Sequence, residues 1–165
     1  MFEYHLNNIK DKLKQLGLQV VDFDLNRPWG AFFCIDELQA QLFSDYFFDE
    51  IDINDLKIMN KLSPKILIIK PSVKLSWQYH NRRAEIWQVY EGEIGVIKSD
   101  NDIQSKMEIF RPGDQIKIEM GIRHRIIGLE GYGIVAEIWQ HTEVIPSDES
   151  DIVRVQDDLD RKSVV

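Results

Sequence analysis

The sequence predicts a mainly β protein, a single jelly-roll β-barrel with short helices on its amino-terminal side. Three observations carry this expectation. From residue 58 onward, eight β-rich runs follow one another at 66–70, 75–80, 86–90, 94–97, 107–110, 115–119, 124–128 and 134–140, the rhythm of a sandwich or barrel. Turn formers separate them, at Gly92, residues 99–102 (SDND), Pro112 with Gly113, Gly121, and Gly131 with Gly133, and such residues supply the dihedrals that hairpins require. A chain of 165 residues suits one domain, which buries roughly two-thirds of its unfolded surface on folding.

The first third has a different pattern. Leu6, Ile9, Leu13 and Leu16 recur at helical spacing with Gly17 at the stopping point, so 4–16 is expected to form an amphipathic helix. Residues 18–23 (LQVVDF) and 31–35 read as strands, and RPWG at 27–30 as a loop or strand edge, with Arg27 and Trp29 either a packed corner or part of a site. Residues 37–48 read as a second helix packing Leu and Phe on the barrel, and the acidic 49–56 (DEIDINDL) as a solvated loop. The expected organisation is one domain over 1–165, made of an extension over 1–57, a barrel core over 58–145 and an acidic tail over 146–165.

Composition narrows the function classes. With 28 acidic against 20 basic residues the net charge is −8, which disfavours a nucleic-acid partner because backbone binding rests on clustered Lys and Arg. A local basic pocket for a small anion stays compatible with that surface. The longest apolar runs fall short of the roughly 20 residues a membrane span needs, so no membrane partner is expected. The opening MFEYHLNNIKDKLKQLG alternates charged with apolar residues, unlike a signal peptide, and a cytoplasmic location is the expectation. A single Cys34 excludes an intramolecular disulfide framework and a Cys-rich zinc module, and is expected to be a small buried hydrophobe. HExxH, GxSxG and glycine-rich dinucleotide signatures are all missing from the sequence.

The chemistry concentrates in residues 71–92 (PSVKLSWQYHNRRAEIWQVYEG) and 111–124 (RPGDQIKIEMGIRH). Strand alternation puts Lys74, Ser76, Gln78 and His80 on one face and Leu75, Trp77 and Tyr79 on the other. Glu85 opens the next strand, and His124 closes the later stretch just after a glycine. Gln78, His80, Glu85 and His124 together offer an amide oxygen, two imidazoles and a carboxylate. Such a set suits a divalent metal, zinc best, with manganese, iron, cobalt and nickel open. Only Glu85 among them is charged, which would leave the ion a strong Lewis acid. Arg123 and Arg125 flank His124 and are expected to face away from it.

Gln78, one residue, His80, four residues, Glu85, six residues, Gly92, followed by Gly113, five residues, Glu119, one residue, Gly121, two residues, His124, resembles the two-part cupin motif. Gln78 stands where a first histidine is usual, Glu119 where a proline is usual, and Gly128 where an asparagine is often found. The segment LSWQYHNRRAEIW (75–87) resembles LSLQMHHHRAEHW of type II phosphomannose isomerases. RPWG at 27–30 and DIVRVQDDLDR at 151–161 are similar to that family's RPWG and DIVRFEDDYGR, so the resemblance brackets residues 27–161 in order.

The resemblance implies a single cupin jelly-roll barrel and metal-dependent aldose–ketose isomerisation of a sugar phosphate, mannose 6-phosphate first. In the family this cupin often follows a guanylyltransferase domain, so that activity is not expected here. Lys74, Ser76 and Arg83 become candidates for binding substrate, and Arg83 and Glu119 for catalysis; Glu137, Asp157 and Arg161 are further candidates for the base without a ranking. The alternative is a non-catalytic sugar-binding or sensing cupin whose ion is structural or absent. A homodimer is expected, with Trp77 and Tyr79 as a surface for it unless they pack under the amino-terminal helices. The tail is expected to fold back on the barrel through DIVRVQDD.

Overall fold

Leu6, Ile9 and Leu13 bury one stripe of the first helix, α1 (Phe2–Gln15). The computed structural model describes residues 1–58, 61–142 and 145–158. After α1 come strands β1 (Val20–Arg27) and β2 (Gly30–Ile35), a single 3-10 turn (Glu37–Gln39), and helices α2 (Ala40–Phe47) and α3 (Ile53–Leu56). The barrel strands are β3 (Lys65–Ile69), β4 (Trp77–Tyr79), β5 (Arg83–Glu91), β6 (Ile94–Ser99), β7 (Glu108–Phe110), β8 (Gln115–Ile118), β9 (Arg123–Gly128) and β10 (Gly133–His141), and β11 (Val153–Gln156) follows in the tail. The segment 49–56, expected as a loop, contains α3 because the Asp52 carboxylate accepts from the Asn54 N–H and caps that turn. No helix among the described residues is long and apolar enough to cross a membrane.

Two antiparallel sheets make the barrel, one ordered β1-β2-β3-β10-β5-β8 and the other β11-β4-β9-β6-β7. Both long central strands, β5 and β10, are buried on both faces. Ile86, Ile134, Ala136 and Ile138 point outward into a cluster with Phe33, Phe43 and the helical Leu6 and Leu13. Trp87, Val89 and Val135 point inward into a second cluster with Leu67, Ile94, Ile116 and Ile126. A helical layer therefore covers the outer face of the larger sheet, and the barrel interior is left to the other face.

RPWG forms the β1–β2 turn, and Gly30 is required there. A Cβ at Gly30, φ 148°, would lie 1.8 Å from the Ile68 carbonyl oxygen of the neighbouring strand. The tail runs back along the barrel, with β11 antiparallel to β4 and Arg154 opposite Gln78.

Two expectations for 75–80 need correction. Regular strand begins only at Trp77, Lys74 making an isolated bridge with Ile127, so the alternation does not extend back to Lys74 and Leu75. Leu75 accordingly packs against the interior cluster. Trp77 is 1% exposed and donates its indole N–H to the Asp102 carbonyl at 2.9 Å, so it forms no surface for a second subunit. Tyr79 is half-buried with the Arg123 guanidinium 3.8 Å above its ring.

Candidate metal centre

His80, Glu85 and His124 come together from three strand regions, all buried, with one ligand atom of each lying within 4.8 Å of the others. Glu85 is the third residue of β5, His80 directly follows β4, and His124 is the second residue of β9, paired opposite Gln78. The two halves of the motif are tied by the Gly121 N–H, which donates to the His80 carbonyl at 2.9 Å.

Each imidazole is oriented by a backbone carbonyl. His80 Nδ1 lies 2.6 Å from the Asp151 carbonyl oxygen, and His124 Nδ1 lies 2.9 Å from that of Ile122. A carbonyl only accepts, so both Nδ1 atoms carry the hydrogen, and a neutral ring then turns its Nε2 lone pair to the interior. Burial pushes His124 down to about 4, despite the nearby Glu85 charge, and the ring is neutral at ordinary pH. His124 Nε2 is buried without a hydrogen-bond partner, 3.9 Å from Glu85 Oε2. His80 Nε2 stands 3.0 Å from Glu85 Oε1, so a neutral His80 would set a lone pair against a carboxylate oxygen. A cation between them removes that conflict, and the donor set fits a divalent metal.

Glu85 is the charge at the centre. Burial alone would raise its carboxyl, but the adjacent His80 and Arg83 together hold it well below the ordinary range. It accepts from Arg83 Nε at 2.8 Å and from Trp87 Nε1 at 3.0 Å. The same indole N–H reaches Glu137 Oε1 at 2.9 Å. Burial first, and the Glu85 charge second, push Glu137 up to about 8. Two adjoining carboxyls thus differ in protonation: one ionised and fixed, the other able to hold or release a proton near neutral pH.

Glu85, Trp87, His124 and Glu137 line a cavity of about 160 Å³, with His80 behind its wall and outside the lining. Gln78 lines it, its amide oxygen accepting from the Ser76 hydroxyl. Arg83 also lines it, but its guanidinium is engaged with Glu85, with Ser147 Oγ at 2.9 Å and with the Asp148 carbonyl at 3.0 Å, and is stacked 3.6 Å over Trp139. In this arrangement it is bonded to Glu85 and to the 147–148 segment of the tail. Ser76 is buried behind Gln78 and is not among the lining residues.

Lys74 and Glu119 are not brought to the cavity. Lys74 lies outside, 56% exposed on its side chain, with Asp158 4.0 Å away, because the strand has not yet begun there. Glu119 follows the last residue of β8, enters the turn before Gly121, and is 65% exposed beside Lys117 at 3.5 Å. Among the described residues, Glu119 is thus outside the lining of the cavity. Arg123 does face away, donating to Asp102 at 2.8 Å, whereas Arg125 is buried and lines the cavity while donating to the Leu75 carbonyl at 2.8 Å. Asp157 is engaged with Arg154 at 3.9 Å, and Arg161 lies outside the described residues. Cys34 is half-buried, its thiol pushed up to about 11 by burial, which makes it a weak nucleophile.

Sequence reasoning did not single out Lys65, Trp139, Glu149 or Asp151, all of which frame the site. Asp151 opens the tail motif. Its carboxylate accepts from the Asn81 and Arg82 N–H groups, both at 2.9 Å, and from Ser147 Oγ at 2.7 Å. The available signal was the similarity at DIVRVQDDLDR, which places this aspartate but does not say what it holds.

No protein-family model matches the sequence, and no curated protein matches it. Among solved structures, oxalate decarboxylase from Bacillus subtilis is similar over 81% of this chain and 29% of its own, with 16% identity and a TM-score of 0.56. The capsular polysaccharide assembling protein CapF from Staphylococcus aureus is similar over 84% of this chain and 34% of its own, with 13% identity and a TM-score of 0.53. The chain therefore spans about a third of the length of these proteins. At such identities the likeness is one of architecture, and with the two-sheet topology it establishes a cupin jelly-roll barrel as the fold of this chain.

Proposed function

We propose that the protein is a metal-dependent aldose–ketose isomerase acting on a sugar phosphate, with mannose 6-phosphate the first substrate to try. The observation that carries this reading is the convergence of His80, Glu85 and His124, with Glu85, His124 and a second buried carboxyl, Glu137, lining one cavity. A divalent ion, zinc best suited to the donors, would be held by these three residues with Gln78 at their side and would supply Lewis acidity toward a carbonyl oxygen.

The chain's own residues supply the rest. Glu137 takes the proton from the carbon next to the carbonyl; the released electron pair forms the carbon–carbon double bond of the enediol as the carbonyl oxygen gains a proton. Return of a proton to the neighbouring carbon, with loss of one from the other hydroxyl, completes the aldose–ketose exchange. A carboxyl poised near neutral pH suits both steps. Trp87, donating to both Glu85 and Glu137, fixes the base relative to the ligands. Cationic groups on the cavity wall, Arg27, Lys65 and Arg154 among them, suit the phosphate better than the outward Lys74 does.

Arg83 favours one other reading. Its Nε and Nη2 reach Glu85 Oε1 at 2.8 Å and His80 Nε2 at 3.3 Å, so the cluster is partly satisfied without an ion, as a sugar-binding cupin with an absent metal would require. Metal analysis of the purified protein, followed by an assay over a panel of aldose phosphates, separates the two. Wild type is expected to carry metal and turn over an aldose phosphate, and His80→Ala to lose both. Metal-replete protein that binds a sugar but isomerises none would establish the binding module instead. The expected homodimer belongs to the same proposal, supported now by exposed Val21 and Phe23 on edge strand β1 rather than by Trp77; light scattering giving a single 19.4 kDa mass at all concentrations would refute it.

A further inference from the structure

We infer that the cavity has a dianion subsite centred on Lys65, occupied at rest by the protein's own Glu149, and that a phosphate group enters by displacing that carboxylate. Lys65 begins β3 with its side chain 7% exposed. Its ammonium lies 4.2 Å from the Trp139 ring centroid and 5.2 Å from that of Phe32, and it is paired with Glu149. A buried ammonium among aromatic faces gains from the rings but still requires an anion to offset its lost hydration. Glu149 has no such need, being 59% exposed on its side chain. The lysine is thus a fixed receptor, and the glutamate a replaceable occupant.

Position supports exchange. Lys65, Trp139 and Glu149 line the site cavity and also a second groove of about 240 Å³, bordered by Cys34, Ser63 and Pro64. The ion pair therefore stands in the wall that both spaces share, and a solute passing from groove to cavity meets Lys65. Arg27, paired with Asp24 at 3.2 Å, adds a second cation to the cavity lining, its guanidinium carbon 5.3 Å from the Phe32 ring centroid. Lys65 is also the direct cross-strand partner of Glu137, so a phosphate held there would lie beside the buried carboxyl. That the natural dianion is a sugar phosphate rests on the isomerase reading, whereas displacement of Glu149 by phosphate does not.

Calorimetric titration with inorganic phosphate tests this on the full chain. Glu149→Gln should bind phosphate about tenfold tighter than wild type if Glu149 occupies Lys65 for roughly nine-tenths of the time. Lys65→Met should show no saturable binding while keeping its far-ultraviolet circular dichroism, and Glu93→Gln, at a surface pair with Arg111, should match wild type. The inference is overturned if Glu149→Gln binds phosphate no tighter than wild type, or if folded Lys65→Met still binds it; should Lys65→Met fail to fold, the Glu149→Gln affinity decides alone. Tighter phosphate binding by Glu149→Gln with no aldose-phosphate turnover keeps the subsite and removes the isomerase. Turnover with an unchanged KM in both variants does the reverse.

Discussion

The two faces of the central strands β5 and β10 are both shielded from water but differ in chemistry. On β5 and β10, Ile86, Ile134, Ala136 and Ile138 face the helical layer, while Glu85, Trp87, Glu137 and Trp139 alternate with them toward the barrel interior. The helical side is filled mainly by apolar volume, which dispersion and water exclusion stabilise, with buried Gln88 bonded to Asp49 as a polar exception. Several polar groups on the interior side are matched, Glu85 by Arg83 and Trp87 and His80 by the Asp151 carbonyl, whereas His124 Nε2 is left without a hydrogen-bond partner. The same strands thus divide their work by parity. One face contributes stability, and the other holds a set of charges that only a neighbour, a proton or an ion can balance.

The strongest break in this division comes from the helical side. Phe43, fully buried between the α2 residues and the sheet, should cost about 3–5 kcal/mol on truncation to Ala, seen in urea denaturation, while the folded variant keeps wild-type metal content. Removing the interior charge acts on binding instead. Glu85→Gln should weaken divalent-metal affinity by more than the about 10–100-fold typical of groups behind the ligands, read by competition with a chromophoric chelator.

A third test uses pH. His141 is buried between Ser63 Oγ at 3.0 Å and the Ser147 N–H at 2.9 Å, and burial pushes it down to about 4 from 6.5. The unfolded chain takes up this proton first, so the stabilisation is fully present above about 6.5 and is lost as pH falls toward about 4. His141→Gln should flatten the acid limb of stability against pH in that window. The smallest effect is expected for Glu119→Gln, where an exposed pair is lost: stability within about 0.5 kcal/mol of wild type, with metal content and turnover unchanged. A large loss of turnover there would put the catalytic carboxylate back at Glu119.

Local spacing made the candidate metal ligands legible. His80 and Glu85 lie on either side of one short turn, and the Gly121 backbone at φ 82° precedes His124 as the motif requires. Lys74 and Leu75 were misread for an equally local reason: alternation holds only where regular strand exists, and β4 is three residues long. The exposed reading of Trp77 failed because the loop holding Asp102 covers it, a neighbour far away in sequence.

By itself the sequence determined the strand rhythm, the first amphipathic helix and the spacing of His80, Glu85 and His124. These depend on repeats and turns whose geometry is set within a few residues of chain. Only the tertiary structure decided that Glu137 stands beside Glu85, that Lys65 faces Glu137, and that Glu149 reaches Lys65. Those meetings require β3, β10 and β5 to lie side by side and the tail to close over them, and the pairing of distant strands is chosen by burial of the whole sheet rather than by any spacing along the chain.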